Sequence, residues 1–104
     1  MTTSNGFTLY VTDLLAPLGE MSVGRMFGGT LLKHRGKQLG IVMGDILYFR
    51  ISEKLQDKYK SHGSKPFQYR KKTGLVTVKA YWSVPDDVIE DREALVAWAE
   101  EVLH

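Results

Sequence analysis

The side chains able to do chemistry are few and scattered. His34, His62 and His104 stand far apart in the chain, and none has a second histidine or a glutamate at a spacing that ligates metal. Ser4, Ser22, Ser52, Ser61, Ser64 and Ser83 fall where helix caps and connectors are expected, and none sits in a nucleophile-elbow pattern. The carboxylates Asp86, Asp87, Glu90 and Asp91 could be imagined as acid and base. Placed ahead of an apolar periodic segment, they are better explained by attraction to the positive end of a helix. There is no cysteine, which removes disulfides, thiolate nucleophiles and Cys-ligated zinc together. No catalytic residue, cofactor site or metal site is expected.

Two other stretches remain. Gly28-Gly29 invites a phosphate-loop reading, but no Gly-Lys-Ser/Thr ending follows and Thr30-Leu31-Leu32 reads as strand. A bulge or a close approach of a helix explains the glycines better. The basic run Tyr69-Arg70-Lys71-Lys72, with Lys58, Lys60 and Lys65 before it, is the candidate contact surface for a polyanion or partner, because clustered cations bind phosphate and aromatic rings stack on bases. Lysines at a hairpin tip equally serve solubility and discourage edge pairing.

The elements that must position these residues follow from periodicity. With 104 residues, 43% hydrophobic and 25% charged, the chain fits one domain (1–104) with one core. No apolar run reaches the roughly 20 residues of a membrane span, and the first residues lack a signal-peptide pattern, so a cytoplasmic location and no membrane association are expected. The net charge of +2 hides a split: residues 25–79 hold thirteen lysines and arginines against three carboxylates, and residues 83–104 hold one arginine against seven. The middle is basic and the tail acidic.

Phe7, Tyr10, Val11, Leu14, Leu15 and Leu18 make a helical stripe, capped at Ser4 or Asn5 and closed by Pro17 and Gly19. Three strands are expected next. Val23 to His34 ends at an Arg35-Gly36 turn, Leu39 to Met43 ends at Gly44-Asp45, and Leu47, Phe49 and Ile51 share one face of the third. A helix should run from Ser52 to about His62, ended by Gly63. A hairpin across Lys71-Lys72-Thr73-Gly74 should follow, with Val76, Val78, Ala80 and Trp82 on one face. Asp87 and Glu90 form a capping box for a last helix carrying Leu95, Trp98, Ala99 and Val102. The fold expected is α+β, two-layered, with about five mostly antiparallel strands in the order α-β-β-β-α-β-β-α, one sheet face forming the core and the other wet.

The stretch Arg25-Met26-Phe27-Gly28-Gly29, preceded by Leu15-Ala16-Pro17-Leu18-Gly19, resembles the hallmark of the amino-terminal domain of TfoX/Sxy proteins, regulators of bacterial competence. Leu47-Tyr48-Phe49-Arg50, Pro66-Phe67-Gln68-Tyr69, Ala80-Tyr81-Trp82-Ser83-Val84-Pro85, then Asp91, Leu95 and Trp98-Ala99 extend the likeness over nearly the whole chain after the first helix. The resemblance implies helices packed on a mostly antiparallel sheet and no catalytic residues. It also implies a regulatory role beside a protein partner such as a transcription factor, the family being associated with the cyclic-AMP receptor protein at competence promoters. Family members join this domain to a carboxy-terminal helical domain. Since the sequence stops at His104, after the last helix, a stand-alone domain is expected.

Three roles follow: a non-enzymatic regulatory or protein-interaction module, a direct nucleic-acid binder using the basic 58–72 region, and, least supported, an enzyme of unknown type. Within the five-residue motif, Phe27 is expected to pack under a helix, Gly28 and Gly29 to let the first strand bend, and Arg25 to reach outward.

Overall fold

The computed structural model describes residues 3–103, the side chains of residues 3–5 excepted. Helix α1 (Thr3–Leu14) runs into a 3-10 turn at Ala16–Leu18, where Pro17 removes an amide and Gly19 leaves at φ 95°. Ser4 and Asn5 are already inside the helix, and their capping side chains lie outside the described residues. Four strands follow, not three: β1 (Met21–Met26), β2 (Gly29–His34), β3 (Lys37–Met43) and β4 (Ile46–Arg50). Then come α2 (Glu53–Ser61), β5 (Pro66–Lys71), β6 (Gly74–Ser83), the short α3 (Asp86–Ile89) and α4 (Arg92–Leu103).

The strands form one antiparallel sheet of six in the order β1-β2-β3-β4-β6-β5. The expected single strand from Val23 to His34 is two, because Phe27 (φ 56°) and Gly28 (φ 82°) both take the left-handed conformation and close a two-residue hairpin between Met26 and Gly29. Positive φ at both central residues matches the turn to the right-handed twist of the strands it joins. Arg35 (φ 52°) and Gly36 (φ 83°) repeat the geometry one hairpin later, at the expected turn. The second glycine of the motif has a different task. A Cβ on Gly29 would stand 2.6 Å from the carbonyl oxygen of Val42, so hydrogen at this position is what lets β2 lie against β3.

Helices α1, α2 and α4 cover one face. Val11, Leu14 and Leu15 of α1, Tyr59 of α2 and Leu95, Trp98 and Ala99 of α4 close over Leu32, Leu39, Val42, Leu47, Phe49, Ile51 and Trp82. Tyr10, assigned to the buried stripe by its spacing, is instead exposed. The last helix is two: α3 stops at Ile89 and α4 is capped afresh by Asp91, whose Oδ1 accepts from the amides of Glu93 (3.1 Å) and Ala94 (3.4 Å). The cap is therefore Asp91, in place of the Asp87–Glu90 box, since the chain turns between Ile89 and Arg92 before the long helix starts. Ser52 precedes α2 in an extended conformation as expected, without a capping hydrogen bond from its side chain.

The other sheet face is not wet. Leu31, Ile41, Phe67 and Tyr81 are buried there, with Met26, Met43, Tyr48, Tyr69, Val78 and Ala80 packed around them, and among the described residues no helix contributes to the cluster. Curling of the sheet buries them. The residue pairing shifts from Pro66↔Trp82 to Phe67↔Val78, a bulge in β6 that bends the β5–β6 hairpin across the strand before it. The same bulge breaks the expected alternation of β6: Val78 and Ala80 join the second cluster with Tyr81, while Trp82 enters the main core.

Candidate functional site

The motif residues meet β5 on the curled face. Phe27, at the tip of the β1–β2 turn, stacks on Tyr69 with ring centroids 5.1 Å apart and lies 5.5 Å from Phe67 and 6.4 Å from Tyr81, edge-on to the last. Phe67 also takes Tyr48 edge-on at 5.0 Å. The ring contacts of Phe27 are all with strand residues, which corrects the expectation that it packs under a helix. The β1–β2 turn and β5 belong to strands at opposite ends of the sheet order, so the stack ties the curled sheet together across its concave side. Phe27 nonetheless keeps 40% of its surface exposed. Met26 packs into the same cluster, while Arg25, one residue earlier and so on the other face, is exposed as expected.

Around the rings lie polar groups on the same face. The Tyr81 hydroxyl donates to Gln38 Oε1 at 2.8 Å. Burial pushes its pKa above the usual phenol value, partly offset by the charge and hydrogen bonding of Arg50. Burial raises that of Tyr48 as well.

The basic residues divide into two groups. Lys58 is committed within the fold: its Nζ lies 2.6 Å from Glu101 and 4.4 Å above the Trp98 ring, joining α2 to α4. Lys60 stands 5.8 Å over Trp82. Lys65 is exposed, its amide donating to the Ser83 hydroxyl at 3.0 Å. Arg70, Lys71 and Lys72 are exposed at the β5–β6 hairpin, in no ion pair among the described residues, with Lys71 Nζ 5.9 Å over Tyr69. The sequence run thus resolves into a tethered helix pair and a free hairpin that borders the aromatic stack.

The histidines are structural where they are described. His34 donates from Nε2 to the Leu18 carbonyl at 2.8 Å, fixing the 3-10 turn to β2. His62 donates from Nδ1 to the Lys58 carbonyl at 2.9 Å and meets Trp98 edge-on. His104 lies outside the described residues. Among the described residues no three His, Asp or Glu side chains gather as a metal site, and no helix is long and apolar enough to cross a membrane. An open cleft of about 1310 Å³ lies between the start of α2 and α4, lined by Arg50, Lys54 and Lys79 but also by Glu53, Glu100 and Glu101. Its mixed charge selects neither an anion nor a cation. Sequence reasoning missed the aromatic stack because Phe27, Tyr48, Phe67, Tyr69 and Tyr81 come from four separate segments. Tyr48 and Tyr81, which alternation sets on the far face of their strands, were the available signal.

These features define an α+β sheet platform, helices on one face and an aromatic concavity on the other, pinned by a Phe-Gly turn. The chain belongs to the family of the TfoX N-terminal domain, whose model matches residues 13–104. The family is not known as a family of enzymes. No curated protein matches the chain significantly.

Proposed function

We propose that this domain is a non-enzymatic regulatory module that binds a protein partner, a bacterial transcription factor, by the aromatic end of the sheet around Phe27. The observation that carries the reading is a large ring held half-exposed against three others, the composition that anchors protein interfaces. Membership of the TfoX N-terminal family supports a regulatory role in general. The test is a titration of the fluorescently labelled domain with the cyclic-AMP receptor protein bound to promoter DNA, with and without cyclic AMP. A saturable anisotropy rise that Phe27→Leu weakens supports the reading, and a flat titration of a folded domain refutes it.

A second reading has its own observation, the exposed and unpaired cations Arg70, Lys71 and Lys72 beside Tyr69. They suit direct contact with nucleic acid, whereas Lys65 stands apart from them at the other end of β5. Binding to mixed DNA and RNA would then weaken steeply with salt, by roughly one counterion per phosphate contacted. Absence of binding at low salt, or indifference to salt, removes this reading.

A further inference from the structure

We propose that two copies of this chain pair antiparallel through β1, about a two-fold axis at Val23, to make one continuous sheet across a dimer. Strand β1 hydrogen-bonds on one side only, to β2, and is an end of the sheet. The direction of its backbone groups is fixed by two observations. Met26 and Gly29 close a two-residue hairpin, and the Glu20 carbonyl accepts from the Arg35 amide at 3.3 Å. Even-numbered residues of this segment therefore address β2, and the amides and carbonyls of Met21, Val23 and Arg25 point outward with no strand beside them.

Symmetry then selects the register. A two-fold axis normal to the sheet keeps each side chain on its own face, so opposed residues must differ by an even number and the axis must pass through a residue. An axis at Val23 pairs Val23 with its copy and Met21 with Arg25 of the other chain, engaging all three outward residues inside β1. An axis at Ser22 or Gly24 carries one of the three past the strand end. The chosen register places Val23, 58% exposed in the single chain, against its equivalent, and sets no like charges directly opposite.

The two ends of the sheet contrast in how they meet a second strand. The β5 end begins with Pro66 and carries exposed Arg70 and Lys71, with Lys65 just before it, features that oppose pairing. The β1 edge has no proline and a single cation. A strand of this chain joining β1 is thus favoured to be another β1, which closes as a dimer and leaves the aromatic face and the basic hairpin open.

Sedimentation velocity over a concentration series, with hydrogen exchange at its two ends, tests this. The expected result is a reversible monomer–dimer equilibrium in which raising the concentration slows exchange of the Met21, Val23 and Arg25 amides and leaves those of Ser22 and Gly24 unchanged. Val23→Pro removes the outward amide at the axis without touching the β1–β2 ladder, and should weaken dimerisation at least tenfold while circular dichroism is preserved. Val23→Lys, which sets two cations face to face, should do the same and decides the matter if the proline variant does not fold. A chain that stays monomeric throughout, a dimer that the folded variant leaves unweakened, or added protection away from β1 would each overturn the proposal.

Discussion

Phe27 combines two energies of opposite sign, which substitutions can separate. Its side chain is about three-fifths buried and contacts three rings, while its backbone sits at φ 56°, where an L-residue other than glycine is strained. Removing the ring should forfeit about 1–2 kcal/mol of burial, taken as that share of a full phenylalanine, plus about 0.5–1 kcal/mol of ring–ring attraction. Phe27→Ala keeps the backbone strain and so should cost about 2–3 kcal/mol, which in a domain of this size lowers Tm by roughly 10–20 °C. Phe27→Gly loses the same ring but relieves the left-handed conformation, worth about 1 kcal/mol after the greater freedom of glycine in the unfolded chain is counted. Glycine should therefore be the milder replacement, the reverse of the usual order within a strand. Urea denaturation of the three proteins at equal m-value measures both differences. An alanine variant as stable as the parent, or a glycine variant weaker than the alanine one, would refute the account of the turn and its stack.

At the neighbouring glycines, Gly29→Ala should cost more than about 2 kcal/mol because its methyl meets the Val42 carbonyl, and Gly28→Ala about 1–2 kcal/mol from φ alone. Arg25→Ala, at an exposed position, should stay within about 0.5 kcal/mol, so thermal melts that rank Arg25 above the glycines contradict this reading. Tyr59 is fully buried, its hydroxyl without a partner among the described residues, and burial, reinforced by Glu101, raises its pKa far above the phenol value. Tyr59→Phe should thus stabilise by about 1 kcal/mol at neutral pH. The native state holds the Tyr59 proton after the unfolded chain has released it, so this residue's contribution is intact below about pH 10 and is lost as pH rises beyond it. The advantage of the phenylalanine variant should accordingly widen in melts above that pH, and a destabilised variant at pH 7 would show that the hydroxyl has a partner. For the last helix, Asp91→Ala should cost about 1 kcal/mol and Asp87→Ala under about 0.5 kcal/mol, with chemical denaturation distinguishing the two.

Much of this was legible locally. The stripe of α1 apart from Tyr10, the Leu47-Phe49-Ile51 face, the Arg35-Gly36 and Gly44-Asp45 reversals, α2 with Gly63 behind it and the hairpin across Lys71-Lys72-Thr73-Gly74 all stand where periodicity and turn chemistry put them. Three of the errors share one cause: each needed knowledge of a neighbour distant in sequence. Phe27 is a bulky residue in a left-handed turn, which local preference argues against, and the rings of β5 and β6 offset the strain of that conformation. The alternation of Val76 to Trp82 is faultless as a pattern, yet the bulge opposite Pro66 puts Val78 and Ala80 on the face of Tyr81 and leaves Trp82 in the main core. Lys58 looked like one cation of a run until Glu101 and Trp98, some forty residues on, claimed it.

The sequence by itself determined the α+β class, the family signature and the placement of most elements, because hydrophobic period and turn residues act over a few positions. Tertiary structure alone decided that Arg25-Met26-Phe27-Gly28-Gly29 is the tip of a hairpin, and that its ring closes a curled sheet against β5. It also decided that the far face is aromatic instead of wet, and that β1 is the open edge. Those outcomes depend on sheet order, bulges and curl, which are set by contacts between segments that no local pattern connects.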